Sequence, residues 1–273
     1  MPTIPSHGIT LNYTDTGGAG RPVVLIHGWP LTGASWSEQV PALSDAGYRV
    51  VTYDRRGFGA SDKPETGYDY DTLAADLSGV IDGLDLHDAT IIGFSMGGGE
   101  VARYLSKHGA SRIHSAVFAG AVPPFLLKTD ENPDGGLGPD DVQGFKDGVT
   151  GDREGFLEGF TRNFFSVDGS LVATERQVQD ALELEKPSLD AALVGCVEAF
   201  GTTDFRDDLT AITVPTLVIH GDSDVVVPFE VSGKRTAETV AGAQLVVVKG
   251  APHGFNVTHA QEFNQAVIEF LGV

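Results

Sequence analysis

Ala89-Thr90-Ile91-Ile92-Gly93-Phe94-Ser95-Met96-Gly97 decides how the chain is read. Ala89 to Ile92 is a short apolar run, and Gly98-Gly99-Glu100-Val101-Ala102-Arg103-Tyr104-Leu105 carries helical spacing. Ser95 therefore sits where a buried strand hands over to a helix. A G-x-S-x-G pentapeptide in that context is the signature of a nucleophile elbow. The turn is so tight that the serine takes a strained backbone conformation, and the residues two before and two after it must lack a Cβ. The strain predicts that Ser95 Oγ projects into a pocket. The Met96 N–H then faces the same pocket from a helix N-terminus, where the dipole favours developing negative charge.

Outward from the elbow, strands and helices alternate. Residues 22–26 (Pro-Val-Val-Leu-Ile) form a continuous apolar run, the pattern of a strand covered on both faces, and residues 48–53 form another. Residues 9–14 alternate apolar and polar, which predicts an edge strand exposed on one face. Asp71 is placed to cap a helix whose apolar face is Leu73, Leu77, Val80, Ile81 and Leu84, and residues 113–119 read as the next strand. Strand, helix, strand alternation implies parallel pairing with right-handed crossovers. From Pro123 to about Phe205 the pattern changes to four helical segments, near 139–149, 152–165, 174–185 and 188–200, with no strand between them. The series then resumes with residues 214–220, a helix near 229–240, a strand at 243–248 and one terminal helix. The expected fold class is α/β: a mostly parallel twisted sheet flanked by helices, with a helical cap inserted before the last two strands. Residues 1–122 and 206–273 form the core and 123–205 the cap, placed over the strand C-termini where open α/β sheets bind ligands.

Composition bounds the function. The 273 residues are 41% apolar and 21% charged, enough for a large core, and no run of 18 or more apolar residues appears. The N-terminal residues lack both a basic region and an apolar core of a signal peptide, so the expectation is a soluble cytoplasmic protein. Against 38 Asp plus Glu stand 18 Lys plus Arg, a net charge of −20, which disfavours nucleic acid and anionic membranes as partners. Cys196 is the only cysteine, so an internal disulfide and a multi-thiolate metal site are excluded.

A serine nucleophile needs a base to take its proton and an acid to orient that base. His253 lies in the loop Gly250-Ala251-Pro252-His253-Gly254 after the last strand. Asp224 lies just past the preceding strand, giving the chain order Ser, Asp, His. Among the other histidines, His7, His87, His108 and His114 fall in turns or helix ends, His259 points away from His253, and His27 and His220 end strands where an imidazole bonds backbone. Asp222 competes with Asp224, but it follows Gly221 at the strand end and is suited to bonding loop N–H groups. Gly98 and Gly99 are read as letting the elbow helix pack closely on the sheet.

The chain resembles the α/β-hydrolases of the cofactor-free haloperoxidase, perhydrolase and arylesterase group, which also includes γ-lactamases. The resemblance rests on His27-Gly28-Trp29-Pro30, Tyr53-Asp54-Arg55-Arg56-Gly57-Phe58-Gly59, Gly67-Tyr68-Asp69-Tyr70-Asp71, the elbow, His220-Gly221-Asp222-x-Asp224 and Ala251-Pro252-His253-Gly254. It implies an enzyme with Ser95, His253 and Asp224 as catalytic residues, Trp29 and Met96 as the oxyanion N–H groups, structural roles for Arg55 and Arg56, and no cofactor or metal. The substrates it implies are small esters, carboxylic acids or lactams, with hydrogen peroxide as an alternative acceptor of the acyl group. A lactamase and a hydrolase-fold ligand receptor remain open as alternatives, as does homo-oligomerisation; an aspartate-nucleophile dehalogenase does not, because the elbow holds a serine. Pro30, Phe125, Phe160 and Val226 are candidates for substrate selectivity. Pro30 biases Trp29 toward extended backbone and so fixes where the Trp29 carbonyl points, which resembles the perhydrolase pattern.

Overall fold

The computed structural model describes residues 2–272; Met1 and Val273, the outermost residues of the expected core, lie outside them. In chain order the sheet elements are β1 (Thr3–Ser6), β2 (Ile9–Asp15), β3 (Pro22–Ile26), β4 (Arg49–Tyr53), β5 (Ala89–Phe94), β6 (Ile113–Ala119), β9 (Thr216–Gly221) and β10 (Gln244–Val248), with a separate hairpin of β7 (Ser166–Val167) and β8 (Ser170–Leu171) between β6 and β9. The eight-stranded sheet has the order β1-β2-β4-β3-β5-β6-β9-β10. Its first two pairings, β1 with β2 and β2 with β4, are antiparallel, and the rest are parallel.

The central strands are apolar throughout because both faces are covered. In β3, Val24 and Ile26 point into one core and Val23 and Leu25 into the other, as strand alternation requires. Each such side chain contributes about 1.5–3 kcal/mol on leaving water. One face is covered by α2 (Tyr70–Gly83) and α3 (Met96–Lys107) through Leu73, Leu77, Val80, Ile81 and Val101. The other is covered by α1 (Gln39–Asp45) and α11 (Ala260–Leu271) through Leu43, Phe263, Val267 and Phe270. The insert between β6 and β9 holds α4 (Pro139–Gly151), α5 (Arg153–Phe164), α6 (Glu175–Glu185), α7 (Asp190–Thr202) and α8 (Arg206–Thr210), followed after β9 by α9 (Gly233–Thr239) and after β10 by α10 (Phe255–Thr258).

Four expectations are corrected. Strand β2 is internal, because Thr3–Ser6 adds a strand outside it; Pro5 is tolerated there because an edge strand has one unpaired side. Asp69, not Asp71, caps α2, accepting from Thr72 N at 2.9 Å, while Asp71 pairs with Arg103. The insert is not free of strands: Asp168 and Gly169, with φ of 50° and 74°, turn β7 into β8 as a two-residue hairpin loop. The terminal helix is two helices, α10 and α11, with His259 between them. Among the described residues no helix is long and apolar enough to cross a membrane.

Candidate active site

Ser95 stands between β5 and α3 with φ 53° and ψ −120°, a conformation that a non-glycine residue holds only where its surroundings compel it. Those surroundings are the two glycines. A Cβ on Gly93 would stand 2.3 Å from the Gly97 carbonyl oxygen, and one on Gly97 would stand 2.5 Å from the Ile26 carbonyl oxygen, so the turn closes only without them. Gly98 and Gly99 likewise bring α3 against Ala121, Tyr70 and Phe205.

Three loops at the strand C-termini meet at Ser95. His253 Nε2 lies 2.9 Å from Ser95 Oγ, and His253 Nδ1 lies 2.6 Å from Asp224 Oδ2. An ionised carboxylate only accepts, so the hydrogen-bond network assigns the ring proton to Nδ1 and leaves Nε2 to accept from the serine hydroxyl. All three residues are buried. Phe94 and Phe164 hold the imidazole from two sides, with ring centroids 5.1 and 4.9 Å away. Asp224 Oδ1 accepts from Val226 N and Val227 N at 2.9 and 2.8 Å. Full burial pushes the Asp224 carboxyl up, but its two histidine partners outweigh that and hold it at about 2. Asp222 is spent on the loop: it accepts from Gly250 N at 2.6 Å.

A narrow apolar pocket of about 20 Å³ opens at Ser95, room for about one water molecule. Its walls include Trp29, Phe145, Phe160, Phe200, Val226 and Val227. Larger clefts, about 600 Å³ beside Trp36 and about 640 Å³ on the cap surface, contain none of the three buried residues at Ser95. Phe160 and Val226 are therefore wall residues, whereas two of the expected selectivity positions are not. Phe125 packs beneath the Arg206 guanidinium, 5.5 Å from its ring centroid, and Pro30 faces a separate gap with Phe160, Phe164 and Glu185. The indole of Trp29, Val122 and Leu126 line the pocket without having been singled out. Val122 had a signal: it follows β6 at the same sheet edge as the elbow.

The arginines after β4 are consumed internally. Arg55 Nε donates to Glu100 at 2.6 Å and its Nη2 donates to the His27 carbonyl at 2.6 Å, while Tyr53 donates to Glu100 at 2.7 Å. Arg56 grips Asp76 with two bonds of 2.6 and 2.9 Å. His27 accepts the Arg55 N–H at 3.0 Å, and its burial, with the Arg55 charge beside it, holds its imidazole far below the usual range. Cys196 is a buried core residue, its thiol pushed up to about 12 by burial. Among the described residues no group of three or more His, Cys, Asp or Glu is arranged to hold a metal ion.

Residues 21–260 match the family described as the alpha/beta hydrolase fold. The chain belongs to that α/β-hydrolase family. The hydrolase is 43% identical to the non-heme chloroperoxidase of Kitasatospora aureofaciens, over 97% of this chain and 96% of that one. It is 35% identical to a bifunctional esterase/perhydrolase of Acinetobacter calcoaceticus, over 97% and 96%. The crystal structure of a bromoperoxidase from Bacillus anthracis superposes with a TM-score of 0.95 at 50% identity, covering 97% of this chain and 96% of that one. The hydrolase is thus an enzyme of the non-heme haloperoxidase and perhydrolase group, with the sheet and helical insert of that fold.

Proposed function

We propose that the protein hydrolyses small carboxylic esters through an acyl-enzyme on Ser95, and that hydrogen peroxide can take the place of water in the second step. The observation that carries this reading is the hydrogen-bonded relay from Ser95 Oγ through His253 to Asp224, at 2.9 and 2.6 Å, at the floor of an apolar pocket. His253 takes the Ser95 proton as Oγ attacks the ester carbonyl, then returns it to the leaving alcohol. Asp224 keeps the imidazole in the required tautomer and stabilises its cationic form. The negative charge on the carbonyl oxygen falls to the N–H groups of Trp29 and Met96, which have no acceptor among the described residues. Water or hydrogen peroxide, deprotonated by His253, then releases an acid or a peracid and regenerates Ser95.

Esters and peroxide as co-substrates are supported by the names of the relatives, and the narrow apolar walls favour short acyl groups. We also assign residues 123–205 as a cap belonging to the same domain as the core. Turnover of p-nitrophenyl acetate, with formation of peracetic acid from acetate and hydrogen peroxide measured in parallel, tests the reading. Ester cleavage that persists unchanged in Ser95→Ala overturns it. Pro30→Leu separates the two activities: peracid formation falls while ester hydrolysis is kept, and a parallel fall in both assigns Pro30 a structural role only.

A further inference from the structure

The steps above give His220 no task, although it is fully buried at the C-terminal end of β9. Its Nε2 lies 2.8 Å from the Val227 carbonyl oxygen and 3.2 Å from Asp224 Oδ2. Both are acceptors, so Nε2 carries the ring proton; it donates to the Val227 carbonyl, with Asp224 Oδ2 lying beside the same N–H. Nδ1 is buried with no partner among the described residues, and a Cβ added to Gly233 would stand 2.4 Å from it, which leaves little room for a second acceptor to approach. Phe229 closes the remaining side, ring centroids 5.8 Å apart. The ring is a single donor wedged in one orientation.

Three N–H groups therefore hydrogen-bond Asp224, and His220 Nε2 lies in contact with it as a fourth neighbour. Val226 N and Val227 N hold Oδ1, while Oδ2 accepts from His253 at 2.6 Å and lies 3.2 Å from His220 Nε2. The titratable groups facing this cluster are His220 from β9, His253 from the loop after β10 and Ser95 from the elbow; the cap contributes the uncharged ring of Phe164. We propose that His220 is a positioning residue for the triad, an inference that rests on the reading of Ser95, His253 and Asp224 as catalytic. Through Oδ2 it aims the carboxylate at His253 Nδ1. Through the Val227 carbonyl it fixes the same loop whose residues Val226 and Val227 wall the pocket. Because its N–H lies against Oδ2, it also tempers the hold of Asp224 on the His253 ring. Without it, Oδ2 is free to hold the imidazolium more strongly, which the pH dependence of turnover would register.

Three variants at His220, with Ser95→Ala and Asp224→Asn as controls, test this by pH profiles of p-nitrophenyl acetate hydrolysis on proteins verified as folded by circular dichroism. His220→Phe fills the wedge but has no donor. Its kcat is expected to fall about 10–100-fold, with KM changed far less, and the acid limb of its kcat profile to move to higher pH, as loss of an outer hydrogen-bond partner predicts. His220→Gln, which restores a donor long enough to reach Asp224, should recover most of both effects. An acid limb that stays in place in His220→Phe, with kcat falling only alongside thermal stability, overturns the proposal. If the phenylalanine variant does not fold, His220→Gln is compared with the shorter His220→Asn: a shifted limb in Asn alone supports the proposal and identical profiles overturn it. Turnover surviving in both controls marks a failure of the triad reading itself. Controls that abolish turnover beside unaltered His220 profiles mark a failure of this inference alone.

Discussion

Asp222 and Asp224 lie two residues apart, yet one is bound to a loop N–H and the other is buried under three donors with the His220 ring beside it. Asp224→Asn should therefore lower kcat by about 10⁴-fold, since an amide favours the wrong His253 tautomer. Asp222→Asn should cost only about 1–3 kcal/mol of stability through the lost loop contact. Steady-state kinetics and urea titrations on both proteins check the ranking, and the reverse ranking would reassign the acid. The Asp224 carboxyl, held at about 2 in the fold, stabilises the protein above the ordinary carboxylate range and loses that contribution as pH falls toward 2. Turnover should also rise with pH, because the base must be neutral to accept from Ser95. These positions were legible because each follows an apolar strand run that fixes its place on the sheet edge. Phe125 was not, since nothing in its neighbourhood in the sequence announces that Arg206 lies over it.

At the scale of elements, the elbow is a close contact between three pieces of backbone. Gly97→Ala places a methyl 2.5 Å from the Ile26 carbonyl oxygen, and such overpacking costs about 1–3 kcal/mol or more as β3 and α3 are forced apart. A lowered urea midpoint together with loss of Ser95 labelling by phenylmethylsulfonyl fluoride is the expected result; native labelling would show that the turn tolerates the side chain. The long apolar strands and the periodic helices could be read directly from the chain because burial on both faces leaves a continuous apolar run. Short elements could not. The strand Thr3–Ser6 contains a proline, and the hairpin of β7 and β8 has only two residues on each side, so neither carries enough periodicity to be recognised. Asp168-Gly169 was the one local sign of that hairpin.

Across the whole molecule, the insertion was visible as a long interval without a strand run, while its seams were not. Glu185 lies buried at one of them, accepting from Thr161 at 2.5 Å, its second oxygen without a partner among the described residues. Arg153 nearby donates instead to Asp190 and to the Glu185 and Lys186 carbonyls. Burial pushes the Glu185 carboxyl up to about 8 against the pull of Thr161 and Arg153. A folded state that holds the proton more tightly than the unfolded chain loses stability as pH rises from the ordinary carboxylate range to about 8, and no more beyond it. Glu185→Gln should flatten that decline. Urea midpoints between these limits that run parallel in the two proteins would show that Glu185 does not set the slope.

The Trp29 indole reaches out of the core to donate to the Leu193 carbonyl at 3.2 Å, while its ring lies 5.0 Å from Phe160 in α5 and 5.8 Å from Phe200 in α7. One residue thus joins the loop after β3 to two helices of the insert. Any displacement of α5 or α7 against the sheet would be transmitted to this residue through those contacts. On the proposed role of its N–H, Trp29 makes the oxyanion donor and the pocket wall a single piece, so a substitution in α5 or α7 that shifts the indole would register in turnover as well as in binding.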